Sequence, residues 1–179
     1  MKKELAYLPL VLALAACVDD DSSKNDTSTP PLTDNTPSTV QDLENAGEIP
    51  KLDRSVGLTG TDADNNGIRD DVDRYIADHF SGEHKVGAAS QAARANQAVL
   101  GTDLLDTTAV RQTNQEISRA TACIYEVFGA TASGTEPATV SRNLEAITFN
   151  TSERLKQYME FNKALDGASW SLPEGSSCE

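Results

Sequence analysis

The stretch PATVSRNLEAITFNTSERLKQYMEFNKAL, residues 137–165, decides the fold class. Val140, Leu144, Ile147, Thr151, Leu155, Tyr158, Asn162 and Leu165 follow one another at steps of three and four. That is the period of one helix face, and it excludes the two-residue alternation of a half-buried strand. Pro137 suits a first helical turn, where its missing N–H is no loss. Unbroken, the segment makes a helix of about 29 residues, roughly 43 Å long. TFNTS, Thr148 to Ser152, is its weak point, since β-branched, aromatic and cap-forming residues are poor helix formers. The stretch therefore reads either as one long helix or as two, the second capped by Ser152.

The same period recurs upstream. Val72, Tyr75, Ile76, His79 and Phe80 form one apolar face over Asp70 to Phe80, and Gly82 is a natural stop. Ser81 is placed to cap EHKVGAASQAARANQAVL, which ends at Gly101 and whose face is mostly alanine, so that its partner must approach closely. Asp106, Thr107 or Thr108 can cap a third helix reaching Phe128, with Val110, Ile117, Ile124 and Phe128 in its stripe. No stretch shows sustained strand alternation. The expected fold is all-α, a small helical bundle over residues 51–179.

Between residues 61 and 73 the pattern changes to TDADNNGIRDDVD. With Asp62 as position 1, Asp64 stands at 3, Asn66 at 5, Gly67 at 6, Ile68 at 7, Asp70 at 9 and Asp73 at 12. A calcium loop needs oxygen ligands at positions 1, 3, 5, 7, 9 and 12, the seventh through a backbone carbonyl, and glycine at 6 for the sharp turn. Capping and the helix dipole account for one or two acids at a helix start. They do not account for four acids at this spacing. The expected ligand set for Ca²⁺ is thus Asp62, Asp64, Asn66, the Ile68 carbonyl, Asp70 and Asp73. The string resembles EF-hand loops and, with its aspartate at 12 and apolar residue at 7, the calcium loops of thrombospondin type 3 repeats. It departs from those repeats in being single, and in carrying Arg69 where they often have proline. KLDRSVGLTG, residues 51–60, does not read as the entering helix of an EF-hand proper.

The amino terminus points to a compartment. Lys2 and Lys3 precede the apolar run LAYLPLVLAL (Leu5 to Leu14), which is too short to span a bilayer and has the proportions of a secretory signal. The following L-A-A-C, ending at Cys17, resembles the lipobox of bacterial lipoproteins. That resemblance implies a signal peptide over residues 1–16, a lipidated Cys17 and a membrane anchor in the cell envelope. Val18 in place of aspartate favours the outer membrane. Residues 17–50 are rich in Asp, Ser, Thr, Asn and Pro and read as a disordered acidic tether.

Charge narrows the partners. The chain carries net −13, and −14 once Lys2, Lys3 and Glu4 leave with the signal. Residues 18–50 carry eight acids and one lysine, and the loop 62–73 is net −4, so the remaining body sums to only −3. Without a basic stripe, a nucleic-acid partner is not expected.

With Cys17 lipidated, Cys123 and Cys178 remain in an oxidising compartment, which is the arithmetic of one disulfide. His79 and His84 are five apart, wrong for a zinc pair on one helix face. No nucleophile elbow, phosphate loop or dinucleotide fingerprint appears, so the chain does not read as an enzyme. Trp170, with Leu172 and Pro173, reads as a core seal or a docking patch. The first expectation for function is a calcium-stabilised envelope lipoprotein with a binding or scaffolding role towards a protein partner. An envelope inhibitor or immunity-type protein comes second, and a hydrolase with an unrecognised site third. Cys17→Ser should abolish lipid labelling and release the protein to a soluble fraction. Membrane association unchanged in that variant would refute the lipobox reading.

Overall fold

The computed structural model describes residues 39–129, 136–167 and 175–179. Cys17, the signal segment and Trp170 lie outside them. Six helices are present among the described residues: α1 (Val40–Ala46), α2 (Asp70–His79), α3 (Glu83–Gly101), α4 (Thr107–Gly129), α5 (Pro137–Thr148) and α6 (Ser152–Ala164). No strand occurs among them. The fold is all-α, and its described helices form a small bundle.

α3 is the central element, touching α2, α4, α5 and α6. Its alanine face makes this possible, since Ala88, Ala89, Ala92, Ala93 and Ala95 are all buried. Small side chains let four neighbours approach one axis at packing distance. Against them lie Val72 and Ile76 of α2, Ile124 and Phe128 of α4, and Val140 and Leu144 of α5. A second cluster at the far end of α3 joins Val99 and Leu100 to Val110, Phe149 and Phe161.

The caps follow local chemistry. Asp106 Oδ1 accepts from the N–H groups of Thr108 (2.8 Å) and Ala109 (3.2 Å) and so caps α4. α3 starts from Gly82 at φ 85°, a left-handed conformation that Ser81 would not adopt readily.

The long C-terminal stretch is broken in two. α5 stops at Thr148 and α6 restarts after Thr151, whose side chain accepts from the Arg154 N–H at 3.3 Å. Thr151, not Ser152, is therefore the cap. The break also shifts the phase of the buried face. Leu155, expected on the stripe, is 48 % exposed, whereas Arg154 and Phe161 are buried.

Composition assigned residues 17–50 to a disordered tether, yet α1 lies within that span. Thr39 and Asp42 form a reciprocal capping box, and Glu44 is buried. The Glu44 carboxylate accepts from the Leu52 N–H at 3.1 Å and from Arg54 Nη1. Charged hydrogen bonds, not apolar burial, order this segment, which is why hydrophobic content missed it. Residues 51–60 contain no helix, as their sequence suggested. They form an irregular strap in front of the acidic loop.

Cys123 of α4 and Cys178 form a disulfide, with Cα atoms 4.9 Å apart. Gln91 holds the same tail from α3, donating to Ser177 O at 2.9 Å and accepting from the Glu179 N–H at 3.2 Å. Arg94 adds an ion pair to Glu179 at 2.9 Å. Alkylation of the unreduced protein should find neither Cys123 nor Cys178 reactive. Reduction should lower stability in urea unfolding by up to about 4 kcal/mol, the chain-entropy value for a loop of this length.

Candidate metal centre

Residues 61–69 leave the strap, turn sharply and enter α2. Asn65 (φ 57°) and Gly67 (φ 83°) both take left-handed conformations, which folds the loop back on itself. At Gly67 the positive φ disfavours a side chain, and a Cβ there would also crowd Arg94 Cγ at 3.1 Å. The turn brings Asp62, Asp64 and Asp70 together, with one carboxylate oxygen of each within 4.8 Å of the others. Two unit negative charges at that separation repel by about 1 kcal/mol in bulk water, and by several times more where the effective dielectric is lower.

Backbone N–H groups hold these carboxylates in place. The Asn66 N–H donates to Asp62 Oδ1 and to Asp64 Oδ1, both at 3.2 Å. The Gly67 N–H donates to Asp62 Oδ2 at 3.0 Å, and the Ala63 N–H to Asp70 Oδ1 at 2.9 Å. Asn66 is the hinge of the cluster: its Nδ2 donates to Asp64 Oδ2 (3.1 Å) and Asp73 Oδ2 (2.8 Å), and its Oδ1 accepts from the Ile68 N–H at 2.7 Å.

Asp73, on the first turn of α2, stands one amide away from the convergent three. Burial pushes its pKa above the usual carboxylate value, and the charges of Asp64, Asp62 and Asp70 add to this against the Asn66 hydrogen bond. Ile68, expected to contribute its carbonyl, places its side chain in the core at 2 % exposure. Three of the six residues read as ligands thus converge directly, and Asp73 joins them through Asn66. All the side-chain donors are hard oxygens, or an amide that can present one, which suits a hard cation and not a thiophilic metal. Asn66 would have to turn its oxygen inward to serve as a ligand.

Asp71, the fifth acid, faces away. Its carboxylate is bonded to Arg69 through Nε and through Nη2, the latter at 3.0 Å. Arg69 is fully buried and extends to the end of α5, donating to Ile147 O (2.8 Å) and Thr148 O (3.1 Å). A guanidinium there satisfies carbonyls that the helix leaves open at its last turn and sits favourably in the helix dipole.

Arg154, also fully buried, binds the strap. Its Nε donates to Leu58 O at 2.8 Å, its Nη2 to Gly57 O at 3.1 Å, and its Nη1 to Asp53 O and to Asn150 Oδ1 (2.8 Å). Burial and then the neighbouring Arg69 pull the Arg154 pKa down, with Asp53 and Asp71 opposing. Asp53 ties the strap to the loop, since its carboxylate accepts from the Thr61 N–H (3.2 Å) while its own N–H donates to Asp71 Oδ2 (2.7 Å). Burial raises the Asp53 pKa, but its hydrogen bonds from Ser55 and Thr61 and the Arg154 charge together leave it lowered.

Sequence reasoning missed this arginine network. An Arg–x–Asp at Arg69 and Asp71 was the one local signal. Arg154 carries none, because at a helix start it looks like any surface arginine. His79, expected at the core edge, is exposed and stacked on Tyr75 with ring centroids 4.0 Å apart.

No family model matches the chain, and neither the curated proteins nor the solved structures contain a match to it.

Arg69→Met would leave the buried Asp71 carboxylate without its cation, holding only the Asp53 N–H, and would strip two helix-end carbonyls of their donor. Urea unfolding should show a loss on the order of 3–5 kcal/mol. The exposed Arg111→Met on α4 should stay within about 0.5 kcal/mol of the parent.

Proposed function

We propose that this chain is a calcium-binding lipoprotein of the bacterial cell envelope, with a structural ion and a helical body that binds or scaffolds a protein partner. One observation carries the calcium assignment: Asp62, Asp64 and Asp70 converge within 4.8 Å in a loop whose spacing and left-handed glycine match a calcium loop. A bound divalent ion supplies the positive charge that this cluster lacks. The structural role rests on the junction between loop and core. Ile68 and Arg69 are buried immediately after the turn, so the loop and the core share consecutive residues. A switch of the paired EF-hand type needs a second loop, and the sequence contains a single one.

Attachment to the envelope rests on the signal and on L-A-A-C before Val18. None of the described helices is long and apolar enough to cross a membrane, and in this reading the lipid on Cys17 provides the anchor. The acidic, stripe-free surface argues for a protein partner over a nucleic acid.

Calcium should raise the melting temperature of the protein, and chelator should reverse the rise. The expected dissociation constant is roughly 10⁻⁴ M, with magnesium a poor competitor. At a hundredfold excess of ion the gain is about 2.7 kcal/mol. Asp62→Ala should remove it while leaving the helical circular dichroism intact. A melting temperature unmoved by millimolar calcium, with no binding heat in calorimetry, would reduce the loop to an acidic turn.

A further inference from the structure

We propose that the seam where α4 and α5 meet over α3 is a pH-sensitive contact, closed around one water when the Glu145 carboxyl is protonated and loosened when it ionises. Neither the acidic loop nor a metal ion takes part.

Four polar side chains from three helices line a cleft of about 20 Å³: Asn96 of α3, Thr121 of α4, and Ser141 and Glu145 of α5. The two α5 residues are four apart and so share a face. Asn96 is 8 % exposed, and the other three are half-buried. Among the described residues, none of these four side chains makes a hydrogen bond or an ion pair. Other hydroxyls of the same helices do bond back, since Ser118 and Thr148 donate to the carbonyls four residues before them. Thr121 and Ser141 keep theirs for the cleft. A space of this size takes one water, and a buried water needs two to four polar partners. The cleft supplies four.

The rest of the wall is apolar, formed by Ala92, Ala95, Ile117 and Ala120. A carboxylate set against such a wall loses hydration, and without a cation it tends to neutralise. Among the described residues, no other charged group lines the cleft from α3, α4 or α5. From α6 the titratable neighbour is Tyr158, stacked on Phe149 with ring centroids 4.3 Å apart. Burial pushes the Glu145 pKa above the usual carboxylate value. Burial first, and then the Glu145 charge, push the Tyr158 phenol up. Tyr158 therefore stays neutral while Glu145 titrates.

Linkage fixes the sign. A carboxyl whose folded pKa lies above its unfolded value stabilises the fold fully below the unfolded value, and the contribution is lost as pH rises through the folded one. Once ionised, Glu145 draws more water into the cleft, at the expense of the contact of α5 with α3 and α4.

The test compares the full-length parent with Glu145→Gln, a neutral isostere of the protonated acid, by urea unfolding and amide hydrogen exchange from about pH 4 to about pH 8 in chelator. The other carboxylates titrate in both proteins, so the difference isolates Glu145. The parent's midpoint should fall relative to that of Glu145→Gln as pH rises. The folded-to-unfolded ratio should drop about tenfold for each pH unit separating the folded and unfolded pKa values. Exchange along α5, corrected for its intrinsic rate, should quicken in the parent alone. The Glu145 carboxyl resonance should titrate above the usual carboxylate value. Asn96→Leu, which removes a partner of the water while keeping the bulk, should move that titration further up. A gap between parent and Glu145→Gln that does not change with pH, a carboxyl that titrates at the ordinary value, or a titration unmoved by Asn96→Leu would overturn the proposal.

Discussion

Two arginines with no solvent exposure, Arg69 and Arg154, meet at the gap between α5 and α6, and the non-helical part of the structure is built around them. Removing a guanidinium from water carries an effective penalty of several kcal/mol, so each must be surrounded by acceptors. The chain supplies these from three places. The end of α5 contributes the carbonyls of Ile147 and Thr148, the strap contributes those of Asp53, Gly57 and Leu58, and Asp71 contributes its carboxylate. Asn150 lies between the two cations and accepts from both, at 3.4 Å from Arg69 and 2.8 Å from Arg154. The same residue donates to Asp53 O at 2.9 Å. An uninterrupted helix would keep the Ile147 and Thr148 carbonyls in its own ladder, and the break leaves them open to Arg69.

This network explains how an irregular segment without apolar weight is fixed to a helical body. The strap has few buried side chains, yet its carbonyls hydrogen-bond to a buried cation and its Asp53 links forward to Thr61 and Asp71. Gly60 sits where a Cβ would collide with the Arg69 side chain and crowd Asp53. The acidic loop thus begins from a fixed point, Thr61, whose carbonyl accepts from the Asp70 N–H at 2.9 Å. It ends at a second fixed point, Ile68 in the core. Repulsion among its carboxylates is opposed by anchors at both ends, and a divalent cation would oppose it further.

The alternating demands on residues 68 to 73 show how densely core, buried network and acidic cluster overlap. Ile68 and Val72 serve the core, Arg69 and Asp71 the buried network, and Asp70 and Asp73 the acidic cluster. Asn66 contributes the link between Asp64 and Asp73, and its hydrogen bonds keep the cluster assembled.

The all-α class, the limits of α2 and α3 to within a residue, and the close approach at the alanine face of α3 were legible because they depend on periodicity and local stop signals. These act over a few residues, as does the turn at Gly67. The convergence of Asp62, Asp64 and Asp70 was legible for the same reason, being confined to nine consecutive residues. What only the tertiary structure decided depends on contacts between residues far apart in the chain. At the break from Phe149 to Thr151, local sequence offered a weak point and a cap, while the carbonyls it opens are taken by a guanidinium about 80 residues upstream, a partner that no local pattern records. The burial of Arg154 in place of Leu155 comes from the phase shift at that break. The order of α1, inside a stretch whose composition reads as tether, comes from Glu44 meeting Leu52 and Arg54. Periodicity records which face of a helix avoids water. It does not record which charge will find a partner inside the fold.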